Sequence, residues 1–333
     1  MTHLGAVLEP SSDFDAGGSA FGFPFIDESE PNKIYMYYSA ASDTRWKHAS
    51  IGIAETRDGR FFRKWDELNP VVDGSRLSFN ARESVTPVVV KLKNRYYMFF
   101  AGSSIAKVRS IGLAYADDPL GPWVMIGRIA KPEKVWEGWS IDLGPGASRT
   151  NETEVLLYYS NLVNKLPLSL IFGERRLSRH IGILRVKIDS PRSVSVLRYS
   201  GNPLRLNGSM GSYSESLFCP GYLSVQNYHF LFPSMSTYST GFPFSQYIGV
   251  ACGSDHFLSR CKRVDILIHG PAEKRHILAT KGELALDTAA PIVRQGKIWL
   301  YYSAMDRNDG VWKTCLSSMS RAELLRFCEE SPM

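Results

Sequence analysis

The chain has 333 residues, 44% of them hydrophobic and 22% charged, with a mean hydropathy of −0.16, values that exclude a disordered or fibrous protein and provide for a sizeable core. Its longest apolar runs are strand-sized, which argues against a membrane-spanning helix, and Met1 to Pro10 lacks the basic-then-apolar order of a secretory signal. The net charge of +6 suits an anionic partner, but no helix-turn-helix, finger or similar module accompanies it, so nucleic acid is not expected.

Read from the N-terminus, Leu4-Gly5-Ala6-Val7-Leu8 is a short apolar strand without a neighbour in sequence. The next 60 or so residues set a pattern that then recurs: a proline-bearing strand, a turn, an aromatic strand ending in a small residue, and a strand marked Ile-Gly. The aromatic copies are Ile34–Ser39, Tyr96–Ala101, Val155–Ser160, His229–Ser234 and Ile298–Ser303. Ile-Gly follows at Ile51-Gly52, Ile111-Gly112, Ile181-Gly182 and Ile248-Gly249, and the fifth copy, near Val311–Cys315, is degenerate. Pro24, Pro87, Pro145, Pro220 and Pro291 mark the preceding strands. Asp58-Gly59 and Asp117–Pro122 supply hairpin punctuation, and Trp65 and Trp123 match beyond it as packing residues.

A repeat of this kind predicts an all-β fold: a five-bladed β-propeller with four-stranded blades around a central funnel, forming one domain over residues 1–333. The blades are expected near 14–68, 80–130, 138–200, 212–268 and 284–320, with residues 4–8 closing the ring as an outer strand of the last. Ser320 with Glu323 three residues on predicts a short C-terminal helix through Phe327. The long insertion from Asn161 to Arg179 is either a lid or a surface loop. Glu174–His180, which overlaps its end, is either a solvated run or a basic rim for a phosphate or carboxylate. Five cysteines without CxxC spacing favour free thiols in a reducing cytoplasm over a disulfide framework or zinc site. The seven histidines show no ligand spacing, so no metal and no cofactor is expected; His180, opening a third strand, is the most notable.

The first strand of each propeller blade lines the funnel, so residues ahead of its proline fall near the mouth. Acids recur there: Glu83 before Pro87, Asp142 before Pro145, Glu215 before Pro220 and Asp287 before Pro291, with Asp15 at longer range before Pro24. Converging carboxylates repel one another and resist desolvation, which marks such a set as functional unless each acid caps its strand or pairs with an arginine such as Arg82. Trp136, Trp139, Phe21 and Phe23 are aromatic candidates for stacking a sugar near the mouth.

These motifs (the Asp-x-Gly-Gly opening at Asp15, the proline-bearing inner strands and the aromatic-aromatic-Ser strands) resemble the five-bladed propeller glycoside hydrolases of families 43, 32, 68 and their relatives. The resemblance implies glycosidic-bond cleavage of a carbohydrate or sugar-like substrate with Asp15 as general base, Asp142 as modulator and Glu215 as general acid, and the residues read near the mouth, Glu83, Arg82, Asp287, Trp139, Phe23 and His180, are expected to bind that substrate. It also implies inversion, with the working carboxyls about 6.5–9.5 Å apart. The chain departs from the families' pattern at its start: no Asp-Pro opens the first inner strand, Asp13 rivals Asp15, and the family 32 Arg-Asp-Pro and Glu-Cys motifs are absent. Transfer to phosphate, using Arg82, Arg149, Arg175 and His180, and non-hydrolytic binding of an anionic or sugar-like ligand are the alternative readings.

Overall fold

The computed structural model describes residues 1–74, 79–162, 179–206, 216–236, 246–259, 261, 263–268, 283–306 and 309–329. Glu215, Arg175 and nearly all of the 161–179 insertion lie outside them. Among the described residues the fold is all-β, with one α-helix at the C-terminal end. No described helix is long and apolar enough to cross a membrane.

The strands fall into antiparallel runs of four. The first run is β2 (Gly18–Phe25), β3 (Ile34–Ala41), β4 (Ala49–Thr56) and the two-residue β5 (Arg63–Lys64). The second is β6 (Glu83–Leu92), β7 (Arg95–Ser103), β8 (Arg109–Ala116) and β9 (Val124–Ala130). The third is β10 (Ser140–Arg149), β11 (Glu154–Leu162), β12 (Ile181–Ser190) and β13 (Ser193–Arg198). The fourth is β14 (Ser216–Val225), β15 (Tyr228–Ser236), β16 (Gln246–Gly253) and β17 (Arg263–Ile268). In the last, β18 (Glu283–Arg294), β19 (Lys297–Asp306) and β20 (Trp312–Ser320) are completed by β1 (Thr2–Leu8) from the other end of the chain. First strands touch in sequence, β2 to β6 to β10 to β14 to β18, and β18 returns to β2.

Three side-chain devices account for the repeating residues. Where the aromatic strand pairs with the Ile-Gly strand, Tyr38 faces Gly52, Phe100 faces Gly112 and Tyr159 faces Gly182. A Cβ on these glycines would meet the facing ring at 2.8, 2.5 and 2.8 Å, so only glycine lets the ring lie flat on the strand. One residue earlier on the aromatic strand, Tyr37, Tyr158 and Tyr301 reach the next run and donate their hydroxyls to the carbonyls of Pro119, His256 and Gly59, at 2.7, 2.7 and 2.9 Å. Phe99 and Phe232 occupy the same position in the other two runs and have no hydroxyl to offer.

The terminal small residue supplies the third device. Four of the five first strands bulge directly after the residue that faces it, and each of these bulges opens on a left-handed residue: Phe21, Thr86, Cys219 and Thr288, with φ 51°, 51°, 43° and 52°. That conformation is costly for side-chain-bearing residues and needs a compensating partner. The partner is the serine hydroxyl of the preceding run, accepting the bulge N–H: Ser303 from Phe21 at 2.7 Å, Ser39 from Thr86 at 2.9 Å, Ser160 from Cys219 at 3.4 Å and Ser234 from Thr288 at 2.9 Å. The run ending in Ala101 lacks a hydroxyl. There the next strand is built differently: Leu143 is not left-handed, its N–H goes to the Asp142 carboxylate at 2.9 Å, and Gly144-Pro145 form the bulge.

The bulges also correct the alignment of acids and prolines. Counted by pairing with the aromatic strand, Ala20, Val85, Asp142, Phe218 and Asp287 share one position. Asp142 and Asp287 are therefore equivalent, while Glu83 stands two residues earlier in its own strand. Pro87, Pro145 and Pro220 lie in the bulges, but Pro24 and Pro291 lie beyond them.

The end of the chain fastens the ring. The helix α1 (Arg321–Glu329) follows β20 directly, with Ser320 and Glu323 capping each other: the Glu323 N–H donates to Ser320 Oγ at 3.1 Å and the Ser320 N–H to Glu323 Oε2 at 2.7 Å. The Met1 ammonium pairs with Glu323 Oε1 at 3.2 Å. Cys328 on α1 forms a disulfide with Cys252 on β16, Cα atoms 5.9 Å apart, while Cys219, Cys261 and Cys315 are free and buried. This overturns the expectation of thiols alone, and with it the argument from cysteine usage to a reducing cytoplasm. Spacing failed as a guide because the partners are 76 residues apart in sequence and meet only when the last run closes.

Candidate active site

The start of β8 carries the residue that organises the site, Arg109. Its guanidinium donates from Nε to Glu83 Oε1 at 2.8 Å and from Nη1 to Asp142 Oδ2. Its backbone N–H donates to Ser140 Oγ at 3.0 Å, tying β8 to the opening of β10. Glu83 opens β6 and Asp142 lies in β10, so one arginine joins carboxylates from two neighbouring runs. All three groups are largely buried. Burial alone would lower the pKa of Arg109, but the carboxylates of Asp142 and Glu83 outweigh it and hold the guanidinium charged. Asp142 Oδ1 also accepts Thr86 Oγ1, at 3.3 Å, and the Leu143 N–H.

Asp287, at the position equivalent to Asp142, is provided for differently. Ser234 Oγ and Thr288 Oγ1 both donate to its Oδ1, at 2.6 and 3.0 Å, and no ion pair reaches it among the described residues. Burial pushes its pKa up, the two hydroxyls and the more distant Arg179 oppose the rise, and the Asp142 charge adds to it. The first strands β10 and β18 approach each other across the ring, which brings the two aspartates within electrostatic reach. Cys219 shares the neighbourhood: burial pushes its thiol well up, and it feels Asp287, Asp142, Arg179 and Arg109. The Arg179 guanidinium lies 4.3 Å over the Phe218 ring.

Asp15 sits elsewhere. It is fully buried and paired with Lys64 of β5. Its Oδ1 accepts the N–H groups of Ser11 and Ser12, both at 3.0 Å, and Ser12 Oγ at 3.2 Å, while Oδ2 accepts Ser19 Oγ at 2.8 Å. Among the described residues no hydrogen bond or ion pair joins it to Glu83, Asp142 or Asp287. Both of its oxygens are occupied in fastening the chain ahead of β2 to the outer strand of the same run. Asp13, its rival, is exposed.

The remaining expected residues divide between the site and the scaffold. Trp139, beside Ser140, is 62% exposed, as a stacking residue needs to be. Phe23 packs between two core clusters, Phe21 meets Trp46 edge-on and Trp312 at a tilt, and Trp136 packs at a tilt on Tyr159. Arg82 does not pair with Glu83, whose partner is Arg109; its backbone N–H bonds Ser103. His180 presents an exposed side chain and clasps Asn161 through its backbone, donating N–H to Asn161 Oδ1 at 2.5 Å. Arg149, at the far end of β10, bonds the Lys91 carbonyl. Arg109 was not singled out from sequence, because its only signal is a position just before an Ile-Gly pair, two residues ahead of Ile111.

No protein-family model and no curated protein sequence matches the chain. Solved structures do match in fold. A glycoside hydrolase superposes with a TM-score of 0.64 at 13% identity, over 96% of this chain and 92% of that one. A thermostable family-43 glycoside hydrolase gives 0.59 at 13% identity, over 90% and 88%. An α-L-arabinanase of Cellvibrio cellulosa complexed with arabinohexaose gives 0.60 at 13% identity, over 90% and 91%. The chain therefore shares the fold of family-43 glycoside hydrolases.

Proposed function

We propose that the chain is a single five-bladed β-propeller that cleaves a glycosidic bond by carboxylate acid–base catalysis in its central funnel, on a carbohydrate or sugar-like substrate. The observation that carries this reading is the gathering of Glu83, Asp142 and Asp287, from three different runs, around the ring of first strands. Arg109 offsets the cost of burying Glu83 and Asp142, whereas Asp287 has no ion pair among the described residues, and a buried acid without one is expensive unless its protonation is put to use. The likeness in fold to glycoside hydrolases, one of them complexed with an oligosaccharide, supports the substrate class. In this reading Asp142 is the fixed charge that raises the pKa of a neighbouring acid. The general-acid role of Glu215 rests on its place in the sequence, one residue ahead of β14. A base role for Asp15 is the part least supported, since proton acceptance there requires Lys64 to let go.

Turnover of a panel of aryl glycosides tests the reading: Asp142→Asn and Glu215→Gln are expected to lose activity while remaining folded. Full activity in both variants overturns the assignment. A second reading, phosphorolysis or an anionic ligand, is favoured by one observation: the Arg109 guanidinium lies between Glu83 and Asp142, and a second guanidinium, that of Arg179, lies within electrostatic reach of Asp287. Phosphate-dependent release of a sugar phosphate from the same panel would select it.

A further inference from the structure

Two aspartates occupy the same position in the third and last runs, each facing the serine that ends an aromatic strand: Asp142 faces Ser160 and Asp287 faces Ser303. Their surroundings differ in one decisive respect. Asp142 has an arginine on Oδ2 and a backbone N–H on Oδ1, a setting made for a carboxylate. Asp287 has two hydroxyls on Oδ1 and, among the described residues, no hydrogen-bond donor on Oδ2. The direction of the Ser234 hydroxyl is fixed, because its oxygen already accepts the Thr288 N–H at 2.9 Å, leaving its proton for Asp287. Such an arrangement satisfies one oxygen and leaves the other to hold a proton.

We propose that Asp287 is the proton-bearing carboxylic acid of the funnel and donates from Oδ2 to the leaving oxygen, with Asp142 as its charged counterpart. Burial and the Asp142 charge both favour the protonated form. Paired acids whose environments push them toward opposite protonation states are the usual arrangement for splitting acid and base roles. The proposal rests on the hydrolytic reading and changes both its acid, from Glu215 to Asp287, and its base, from Asp15 to Glu83. The proton on Asp287 passes to the glycosidic oxygen as the bond between that oxygen and the anomeric carbon breaks. A water oxygen bonds the anomeric carbon, and the water proton passes to Glu83, whose Oε1 is held by Arg109 and whose Oε2 takes no hydrogen bond from a described residue. Return of that proton to Asp287 through solvent resets the site.

Two measurements test this, and they fail separately. The first needs no substrate: protein labelled with carbon-13 at the aspartate carboxyls is titrated and compared with Asp287→Asn. The signal missing from the variant is expected to titrate at higher pH than the other aspartates, and Thr288→Val, which removes one hydroxyl from Oδ1, should move it higher still. A signal that titrates with the others, or does not respond to Thr288→Val, overturns the proposal whatever the chemistry. The second uses glycosides of graded leaving groups. Asp287→Asn should lose roughly 10²–10⁴-fold on alkyl glycosides, the usual worth of general-acid catalysis, and far less on dinitrophenyl glycosides, which need no proton. If Glu215→Gln shows that signature and Asp287→Asn does not, hydrolysis stands and Asp287 is not its acid. If the wild type turns over no glycoside while the titration behaves as expected, the hydrolytic reading fails and Asp287 remains a neutral hydrogen-bond donor to a bound ligand.

Discussion

Ser39 on the aromatic strand of one run accepts the backbone N–H of Thr86 in the first strand of the next, at 2.9 Å, with both residues buried. The same bond recurs at three other junctions, including the one from Ser303 to Phe21 that closes the ring. The serine that ends four of the five aromatic strands is thus a connector between runs, and it spares a left-handed amide from being buried without a partner.

Removing such a hydroxyl should be costly at every junction that has one. Ser39→Ala and Ser303→Ala each leave a buried N–H unpaired, which typically destabilises by about 1–3 kcal/mol. Ala101→Ser should give no matching gain, because the Leu143 N–H is already held by Asp142. Denaturant unfolding of the three variants measures this, and a stabilised Ala101→Ser would show that the junction there is short of an acceptor after all.

Arg109→Gln removes the positive charge shared by two buried carboxylates. Breaking one side of a buried ionic group costs about 3–5 kcal/mol, because the remaining charges are left without compensation. Arg109→Lys, which keeps the charge and gives up only the fork, is expected to lose less. Urea unfolding of the two variants reads the difference. An equal loss in both would mean that the shape and packing of the arginine, rather than its charge, matter.

Asp15 should behave as a structural acid. Burial pushes its pKa up, but Lys64 and the Ser11, Ser12 and Ser19 donors prevail and lower it below the ordinary aspartate value. A carboxyl whose folded pKa is depressed contributes stability that is fully present above its unfolded pKa and is lost as pH falls through the folded one. Asp15→Asn is therefore expected to be destabilised near neutral pH, by about 3–5 kcal/mol for a buried pair broken on one side, with the deficit narrowing in acid. The contrasting outcome is a variant of wild-type stability with abolished turnover, which would restore Asp15 as a catalytic base.

The period of the fold was legible because the runs share one set of physical solutions: a ring over a glycine in three of them, a tyrosine or phenylalanine one position back in all five, and a hydroxyl at the strand end in four. Position along the first strands was less legible. Bulges of two residues, one of them built differently in β10, shift the acids relative to the prolines, so counting back from proline grouped Glu83 with Asp142 although pairing separates them. Arg109 was hidden for a related reason. An arginine opening a third strand looks like any solvated strand end until the junction between β8 and β10 places it between two acids. The equivalence of Asp142 and Asp287 likewise emerges only from strand pairing.

Closure of the ring depends on contacts that no local motif announces, and these can be tested by cutting them one at a time. The helix α1 is capped by Ser320 and Glu323, linked to the N-terminus through Glu323, and tied to β16 by Cys252 and Cys328. The backbone and side-chain bonds from Ser320, together with the Met1 ammonium, lower the Glu323 pKa to about 2, so the cap stays charged throughout the neutral range. Glu323 is partly exposed, however, and solvent screening keeps its pair with Met1 weak. The disulfide should therefore be the stronger tie: removing a bridge of this kind usually costs about 2–4 kcal/mol. Cys328→Ser is expected to raise hydrogen exchange in α1 and then in β1 and β20, the strands beside it, while β6 and β7 keep their protection. Glu323→Gln should give the same ordering with a smaller amplitude. Equal loosening of all runs in Cys328→Ser would mean that the bridge supports the whole ring rather than its closure.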